Sequence, residues 1–504
     1  MRLALVFNPF SYKLHEENLR IVQKYFGLFP PLSLCWVAAI AKRAGHDVLL
    51  VDARTLRLSK PDVADILKKF KPDAMGFMMT TYMFRETLGW AEYLKRRFPV
   101  PVIVGGYNLF IYPKESVMPD VVDFGCADHA LYTVPELLAA LERGDKDFSK
   151  IPGLVYKVDG EVRLNPPVPV NFNDFPFPDR SQLPNELYAE FPTARKNFTV
   201  MVTSLGCPKG CVFCEVSRTR YNARSAELVV AEMRECYERY DIREIDIFDY
   251  EFCFLNDRVR EICDGILSAG LDIRWACRAR VDTVDYELLK VMKRAGCDRI
   301  YFGIEADDQR TLDELNKGVS VEQAVETVKN CRRLGIKALG FFLIGVPGET
   351  RERVIRRVRF ARRLKLDYAQ FSKLTAKPGT GLWKELVERT GRDYWRDYIL
   401  GLTEERELER PWTGVDNAKI DEWTKMAYLR FYLWPPFLVR SVFRVRMLSE
   451  FVRKALALFD MIFSQERRSR PDPNFRAYSE NPPFKIKRAR ARLVKLVESL
   501  GSGE

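Results

Sequence analysis

A chain of 504 residues exceeds one hydrophobic core and predicts two or three domains. Its 47% hydrophobic and 30% charged content is that of an ordinary soluble globular protein. The longest apolar candidate, Trp434 to Met447, is broken by Pro435, Pro436, Arg440, Arg444 and Arg446, which excludes it as a bilayer span. Eleven cysteines without a secretory signal argue against a disulfide framework and for a reducing, cytoplasmic setting. Histidine occurs only as His15, His46 and His129, which excludes a His-rich metal site. The net charge of +12 is concentrated. Sixteen Lys and Arg stand against five Asp and Glu between Arg430 and Lys495, so the rest is almost neutral.

The N-terminus turns polar by Asn8 and reads as a first strand rather than a signal peptide. Apolar runs at Leu3–Phe7, Val48–Val51, Ala74–Phe77, Val102–Val104 and Val121–Phe124 predict strands. They alternate with helical patterns at Leu32–Arg43, Val63–Phe70, Arg85–Phe98 and Val134–Glu142, which predicts a parallel sheet covered on both faces. Gly105-Gly106 follows a strand, where ligand loops cluster on such sheets. From Ile151 to Asn197 the alternation fails, and Pro166, Pro167, Pro169, Pro176 and Pro178 predict a surface linker.

Alternation then resumes with a longer period. Strands are expected at Thr199–Thr203, Glu244–Phe248, Ile273–Ala276, Arg299–Ile304, Ala338–Ile344 and Tyr368–Ser372, with helices between them. Six such units are too few to close a full barrel, so a partial one is predicted, with its site at the C-terminal strand ends. The arginine-rich stretch Arg351–Arg363 has helical rhythm and reads as solvating the barrel's outer face. Beyond Pro378 the chain reads as mostly helical.

The first barrel strand runs into Thr203-Ser-Leu-Gly-Cys-Pro-Lys-Gly-Cys-Val-Phe-Cys-Glu215. Cys207, Cys211 and Cys214 thus form C-x3-C-x2-C on one tight loop. Three thiolates bind three irons of a cubane and leave the fourth open, since the loop offers no fourth ligand. An open iron can chelate the amino and carboxylate groups of S-adenosylmethionine. A zinc knuckle would call for paired C-x2–4-C units or histidines, and neither is present. No cysteine follows Cys331, so the last third of the chain holds no second cysteine-ligated cluster.

In this triad, and in Phe213 before its last cysteine, the sequence resembles the radical S-adenosylmethionine superfamily. The resemblance extends through Phe248-Asp-Tyr-Glu-Phe252, Trp275-Ala-Cys-Arg-Ala-Arg-Val-Asp282, Gly303-Ile-Glu-Ala306, Phe342–Thr350 and Pro378-Gly-Thr380. It implies that the Phe213 backbone contacts adenine. Asp249, or else Glu251, would contact the methionine amino group. Arg280 would point at the carboxylate or ribose, and Glu305 would reach the ribose hydroxyls.

The first domain resembles the cobalamin-binding module that precedes many such barrels. Pro30-Pro-Leu-Ser-Leu34, Met79-Thr-Thr-Tyr82, Val104-Gly-Gly-Tyr107 and Asp120–Asp128 carry this likeness. It implies cobalamin contacts at Thr80, Thr81, Gly105, Gly106 and Gly125. No D-x-H-x-x-G motif is present, which implies cobalt bound without a histidine beneath it. A Rossmann-like domain that binds no cofactor is the alternative. A methylthiotransferase would need three further cysteines here, and only Cys35 and Cys126 are available.

The expected architecture is therefore α/β. A Rossmann-like cobalamin-binding domain (1–150) and a linker (151–197) precede a partial (β/α)6 barrel (198–377) and a basic helical region (378–504). The resemblance implies a cobalamin-dependent radical methyltransferase with one 4Fe–4S cluster, S-adenosylmethionine and cobalamin, acting on an unactivated carbon. A radical cyclase with the same cofactors remains open. Arg278, Tyr301 and Gln370 are candidate substrate contacts. The substrate is expected to be a small molecule or lipid, of hydrophobic or tetrapyrrole character, and the reductant a flavodoxin or ferredoxin. In the basic C-terminus, Arg440, Arg444, Arg446, Arg453 and Lys454 alternate with Phe437, Leu438, Val442, Phe443 and Phe451. This favours a structural cover or a peripheral membrane face over a nucleic-acid grip through these residues and Lys485, Lys487, Arg488 and Arg490.

Overall fold

The computed structural model describes residues 1–10, 27–190, 193, 195, 197–403, 410–443 and 484–502. Its first sheet has seven strands: β1 (Arg2–Phe7), β2 (Asp47–Asp52), β3 (Ala74–Met78), β4 (Val102–Gly105), β5 (Phe124–Cys126), β6 (Leu154–Val158) and β7 (Glu161–Leu164). Their spatial order is β2-β1-β3-β4-β5-β6-β7, parallel through β5. The apolar runs of β1 to β4 are buried because helices cover both faces. Lys60–Phe70 begins at a capping box, in which Ser59 and Asp62 satisfy each other's backbone N–H groups.

Part of the expected linker belongs to this sheet. β6 and β7 form an antiparallel hairpin against β5, because Leu154, Val155 and Tyr156 supply a buried run. The prolines that follow carry the chain over the surface. Ala189–Glu190 then pairs antiparallel with Gly27–Leu28 and returns beneath the second sheet.

That second sheet contains β8 (Phe198–Met201), β9 (Glu244–Ile247), β10 (Arg274–Ala279), β11 (Cys297–Glu305), β12 (Lys337–Ile344) and β13 (Tyr368–Lys373). All six are parallel, in sequence order, and the sheet curls into a half-barrel. Alternation divides its faces. Ile245, Ile247, Trp275, Cys277, Ile300, Phe302 and Phe342 pack against the outer helices. The concave face carries Asp246, Arg278, Arg299 and Tyr301 with the apolar Ala276, Leu339 and Tyr368. The helix Arg351–Arg363 is not wholly a solvating face. Arg357 is 0% exposed and is held by Glu349 and by the carbonyl of Leu343.

The described C-terminal residues close over both sheets. Asn417–Tyr432 lies on β13, where Tyr428 and Tyr432 donate to or accept from the backbone of Phe371 and Ala369. Trp395 and Tyr398 join the N-terminal core, as do Ala489, Leu493 and Val497 of the helix Phe484–Ser502. Arg440 donates to the Leu366 carbonyl and Arg490 to that of Leu56, so these two cations cap protein backbone. Arg444, Arg446, Phe451, Arg453 and Lys454 lie outside the described residues. Among the described residues no helix is long and apolar enough to cross a membrane.

Candidate active site

The cysteine loop is closed at its base by Ser204–Leu205 pairing with Asn222–Ala223. Gly206 is required there: its φ is 76°, and a Cβ would stand 2.1 Å from the Arg220 carbonyl oxygen. The backbone N–H of Cys207 donates to Thr219 at 2.9 Å. Asp249, at the C-terminal end of β9, accepts from the Thr203 backbone at 2.5 Å, its hydroxyl at 2.6 Å and the Ser204 hydroxyl at 2.7 Å. It is fully buried, and burial holds its carboxyl above the ordinary range. Both oxygens are thus engaged in anchoring the loop.

Burial raises the thiols of Cys207 and Cys214, the latter to about 11, while a neighbouring backbone N–H bonded to each acts against it. Each also feels the charge of Cys211, which places the three sulfurs in one neighbourhood. Among the described residues no three His, Cys, Asp or Glu side chains converge on a single metal ion. A cubane makes a different demand, since each thiolate takes its own iron. Thiol-only ligands at the barrel mouth fit such a cluster.

Beside Cys211 lies a buried charged layer. Arg280 donates to the Cys211 sulfur at 3.6 Å. Glu251 accepts from the Arg280 backbone at 2.8 Å and from Thr283 at 2.9 Å, and burial pushes its carboxyl up to about 7. Glu305, at φ 64°, pairs with Lys317 at 2.9 Å. A Cβ at Gly303 would stand 2.5 Å from both members of that pair, so the glycine of Gly-Ile-Glu makes room for it. Lys317 also stands 5.8 Å from the Phe213 ring centroid. The structure therefore gathers Phe213, Arg280 and Glu305 around Cys211, whereas Asp249 and Glu251 are engaged beneath them. Lys317 escaped the sequence reading, because a lysine in a Gly-ended turn carries no signal of its partner.

Deeper in the half-barrel, Arg299 bridges Glu244 at 2.6 Å and Glu190 at 3.0 Å, and Tyr301 donates to Glu190 at 2.7 Å. Arg278 forks onto Asp246 at 2.7 and 3.2 Å and lies over the Phe248 ring. Tyr301 is thus committed to this floor, and Arg278 also lies 4.9 Å from the Tyr301 ring centroid. Half-buried Gln370 donates to Ser372 at 3.2 Å.

The C-terminal edge of the first sheet faces this mouth. Gly106 has φ 116°, and its Cβ would meet the Met79 carbonyl at 2.8 Å. Thr81 donates to Asn108, which donates to Ser116, so its hydroxyl ties two loops together. Half-buried Thr80 and Gly105 lie on the same edge. Gly125 serves packing: a Cβ there would stand 2.8 Å from Leu109 and Val117. Phe110 and His129 place their rings 5.4 Å apart, and Phe110 is 44% exposed. Small residues backing an edge with exposed rings fit a broad, partly apolar group such as cobalamin.

Comparison with known proteins agrees with this arrangement. Residues 20–137 match the B12 binding domain, and residues 201–361 match the radical SAM superfamily. An uncharacterised methyltransferase of Pyrococcus horikoshii is 34% identical over 423 residues, covering 82% of this chain and 90% of that one. The chain belongs to the cobalamin-binding radical S-adenosylmethionine enzymes. Membership brings S-adenosylmethionine, a 4Fe–4S cluster and cobalamin as cofactors, and methyltransferases and cyclases as relatives. The anaerobic magnesium-protoporphyrin IX monomethyl ester cyclase of Rubrivivax gelatinosus is 28% identical, over 72% of this chain and 67% of that enzyme. The hopanoid C-3 methylase of Methylococcus capsulatus is 29% identical, over 74% and 72%. The cobalamin-dependent radical enzyme OxsB, with aqua-cobalamin bound, shares the fold at a TM-score of 0.67 and 14% identity. That match covers 100% of this chain and 80% of that one.

Proposed function

We propose that this enzyme methylates an unactivated carbon of a hydrophobic substrate of lipid or tetrapyrrole class. The observation that carries the reading is a pair of exposed rings beside the cluster loop: Tyr250 donates to Glu215, and Phe110 packs by Tyr107, whose hydroxyl reaches the Glu215 carbonyl. Phe110 and Tyr250 are 44% and 48% exposed. Bound together, the cofactors supply hydrogen abstraction and a transferable methyl group. The chain supplies placement and exclusion of water. Cys207, Cys211 and Cys214 hold the cluster. Phe213, Arg280 and Glu305 line the S-adenosylmethionine pocket, with Asp249 and Glu251 fixing the backbone beneath. Thr80, Gly105 and Gly106 cradle cobalamin, and we extend that module to Leu164. Gln370 is the substrate-facing candidate of the three concave residues.

Anaerobic reconstitution with iron, sulfide and cobalamin tests the reading. One cluster and one cobalamin per chain are expected, with S-adenosylhomocysteine formed alongside 5′-deoxyadenosine. 5′-Deoxyadenosine without S-adenosylhomocysteine would instead select the second reading, a ring-forming cyclase, which the Rubrivivax relative favours. The electron donor in this proposal is a flavodoxin or ferredoxin. A peripheral membrane contact would use the exposed Lys485, Lys487 and Arg488 beside Phe484, which is 79% exposed. Changing these three cations to Glu should abolish binding to anionic liposomes; unchanged binding would sink the membrane contact.

A further inference from the structure

The three cluster thiols have different polar neighbours. The backbone amides of Lys209 and Val216 lie close enough to Cys207 and Cys214 to favour their thiolates. The Cys211 sulfur accepts from the Arg280 guanidinium. The two amides are neutral and come with the turn of the loop. The guanidinium is a full positive charge delivered from the residue that follows β10, a separate strand.

The guanidinium is held for this contact. Its Nε donates to Asp282 at 2.8 Å, and its Nη2 donates to Asp282 at 3.0 Å and to the Lys317 carbonyl at 2.6 Å. The remaining nitrogen, Nη1, is the one 3.6 Å from the Cys211 sulfur. An arginine fork clamped along one edge leaves its other end in a fixed direction. The backbone of Arg280 is pinned as well, by Glu251. Arg280 is 5% exposed, so solvent screens this contact little.

We propose that Arg280 sets the reduction potential of the cluster through its charge-assisted hydrogen bond to the Cys211 thiolate. This rests on the cluster assignment. An electron accepted from an external one-electron donor adds negative charge to the cluster and its thiolates. A donor at sulfur stabilises that reduced form and raises the potential. Such tuning acts before S-adenosylmethionine binds, which separates it from a contact to that cofactor's carboxylate. Arg280 is in this respect a positioning residue, acting through Cys211.

The test is a potentiometric EPR titration of reconstituted full-length enzyme without S-adenosylmethionine. Wild type is compared with Arg280→Leu and Arg280→Lys, with iron and sulfide counted on the same samples. Arg280→Leu should shift the reduction equilibrium about tenfold toward the oxidised cluster, equivalent to about 59 mV for a one-electron couple. Arg280→Lys, which keeps the charge without the fork, should fall between. A wild-type potential in the loaded variants overturns the proposal. If neither variant loads a cluster, wild-type enzyme containing 15N-arginine decides. A 15N coupling to the reduced cluster is expected in pulsed EPR, and its absence overturns the proposal. Failure of the cluster assignment itself would appear separately, as wild type without stoichiometric iron and sulfide.

Discussion

Tyr107, on the helix that follows Gly105-Gly106, places its hydroxyl 3.4 Å from the backbone carbonyl oxygen of Glu215, one residue past the last cluster cysteine. The same hydroxyl lies 3.5 Å from the Pro378 carbonyl oxygen, in the turn after β13. One side chain of the cobalamin-binding module therefore touches both the cluster loop and the end of the half-barrel. Burial, and then the charge of Glu215, keep this phenol protonated, so it stays a donor. Both bonds are long, and Tyr107→Phe should cost no more than about 1 kcal/mol of stability. Its larger effect should be on the spacing of the two modules. We expect the ratio of 5′-deoxyadenosine to methylated product to rise several-fold at unchanged S-adenosylmethionine affinity, measured by chromatography under single-turnover conditions. An unchanged ratio would show that the contact does not control spacing.

Asp249 tests whether an acidic residue at this strand end serves the cofactor or the loop. Asparagine keeps the shape but offers one acceptor atom to three donors, stranding at least one buried donor at a cost of about 1–3 kcal/mol. Asp249→Asn should lower the melting temperature of the apoprotein by several degrees and reduce cluster loading. The fraction that loads should bind S-adenosylmethionine as wild type does, measured by equilibrium dialysis. Weak binding with normal loading would return Asp249 to the methionine amino group.

The buried floor of the half-barrel makes stability depend on pH. Burial, with Asp246 adding like charge, pushes Glu190 up to about 7 despite Arg299. An acid whose folded pKa exceeds its unfolded value binds more protons when folded, so stability falls as pH rises from about 4.5 through about 7. The contribution is on the order of 3 kcal/mol. Glu190→Gln should flatten this decline and raise the melting temperature at pH 8 relative to wild type, while changing it little at pH 5. A variant less stable than wild type at pH 8 would mean that the Glu190 charge favours the fold.

Lys317 compensates Glu305 inside the site. Replacing it with methionine leaves a buried carboxylate unpaired, at a cost of about 3–5 kcal/mol. Lys317→Met should therefore destabilise the apoprotein sharply in urea denaturation. The double change Lys317→Met with Glu305→Gln should recover much of the loss. Additive losses would show that the two side chains do not depend on each other.

Local patterns make much of this protein legible in its sequence. The half-barrel strands could be read from their apolar beat, and the cluster loop from its three cysteines, because a tight loop encodes its own ligand spacing. The hairpin β6–β7 escaped, since a five-residue run followed by prolines resembles a linker until β5 offers it an edge. Gly125 reads as a ligand-loop glycine, and the packing of Leu109 and Val117 where its Cβ would stand is not legible from any local interval.

Sequence by itself determined the chemistry class, through residue types and intervals within single segments. Only the tertiary structure decided which charges meet. Arg280 reaches Cys211 across 69 positions, Tyr301 reaches Glu190 across 111, and Tyr107 reaches Glu215 across 108. Such pairings arise because loops, a helix and strands distant in the chain converge on the mouth and concave face of the half-barrel. Burial there demands a partner for every charge, and no local interval in the sequence specifies which partner it is.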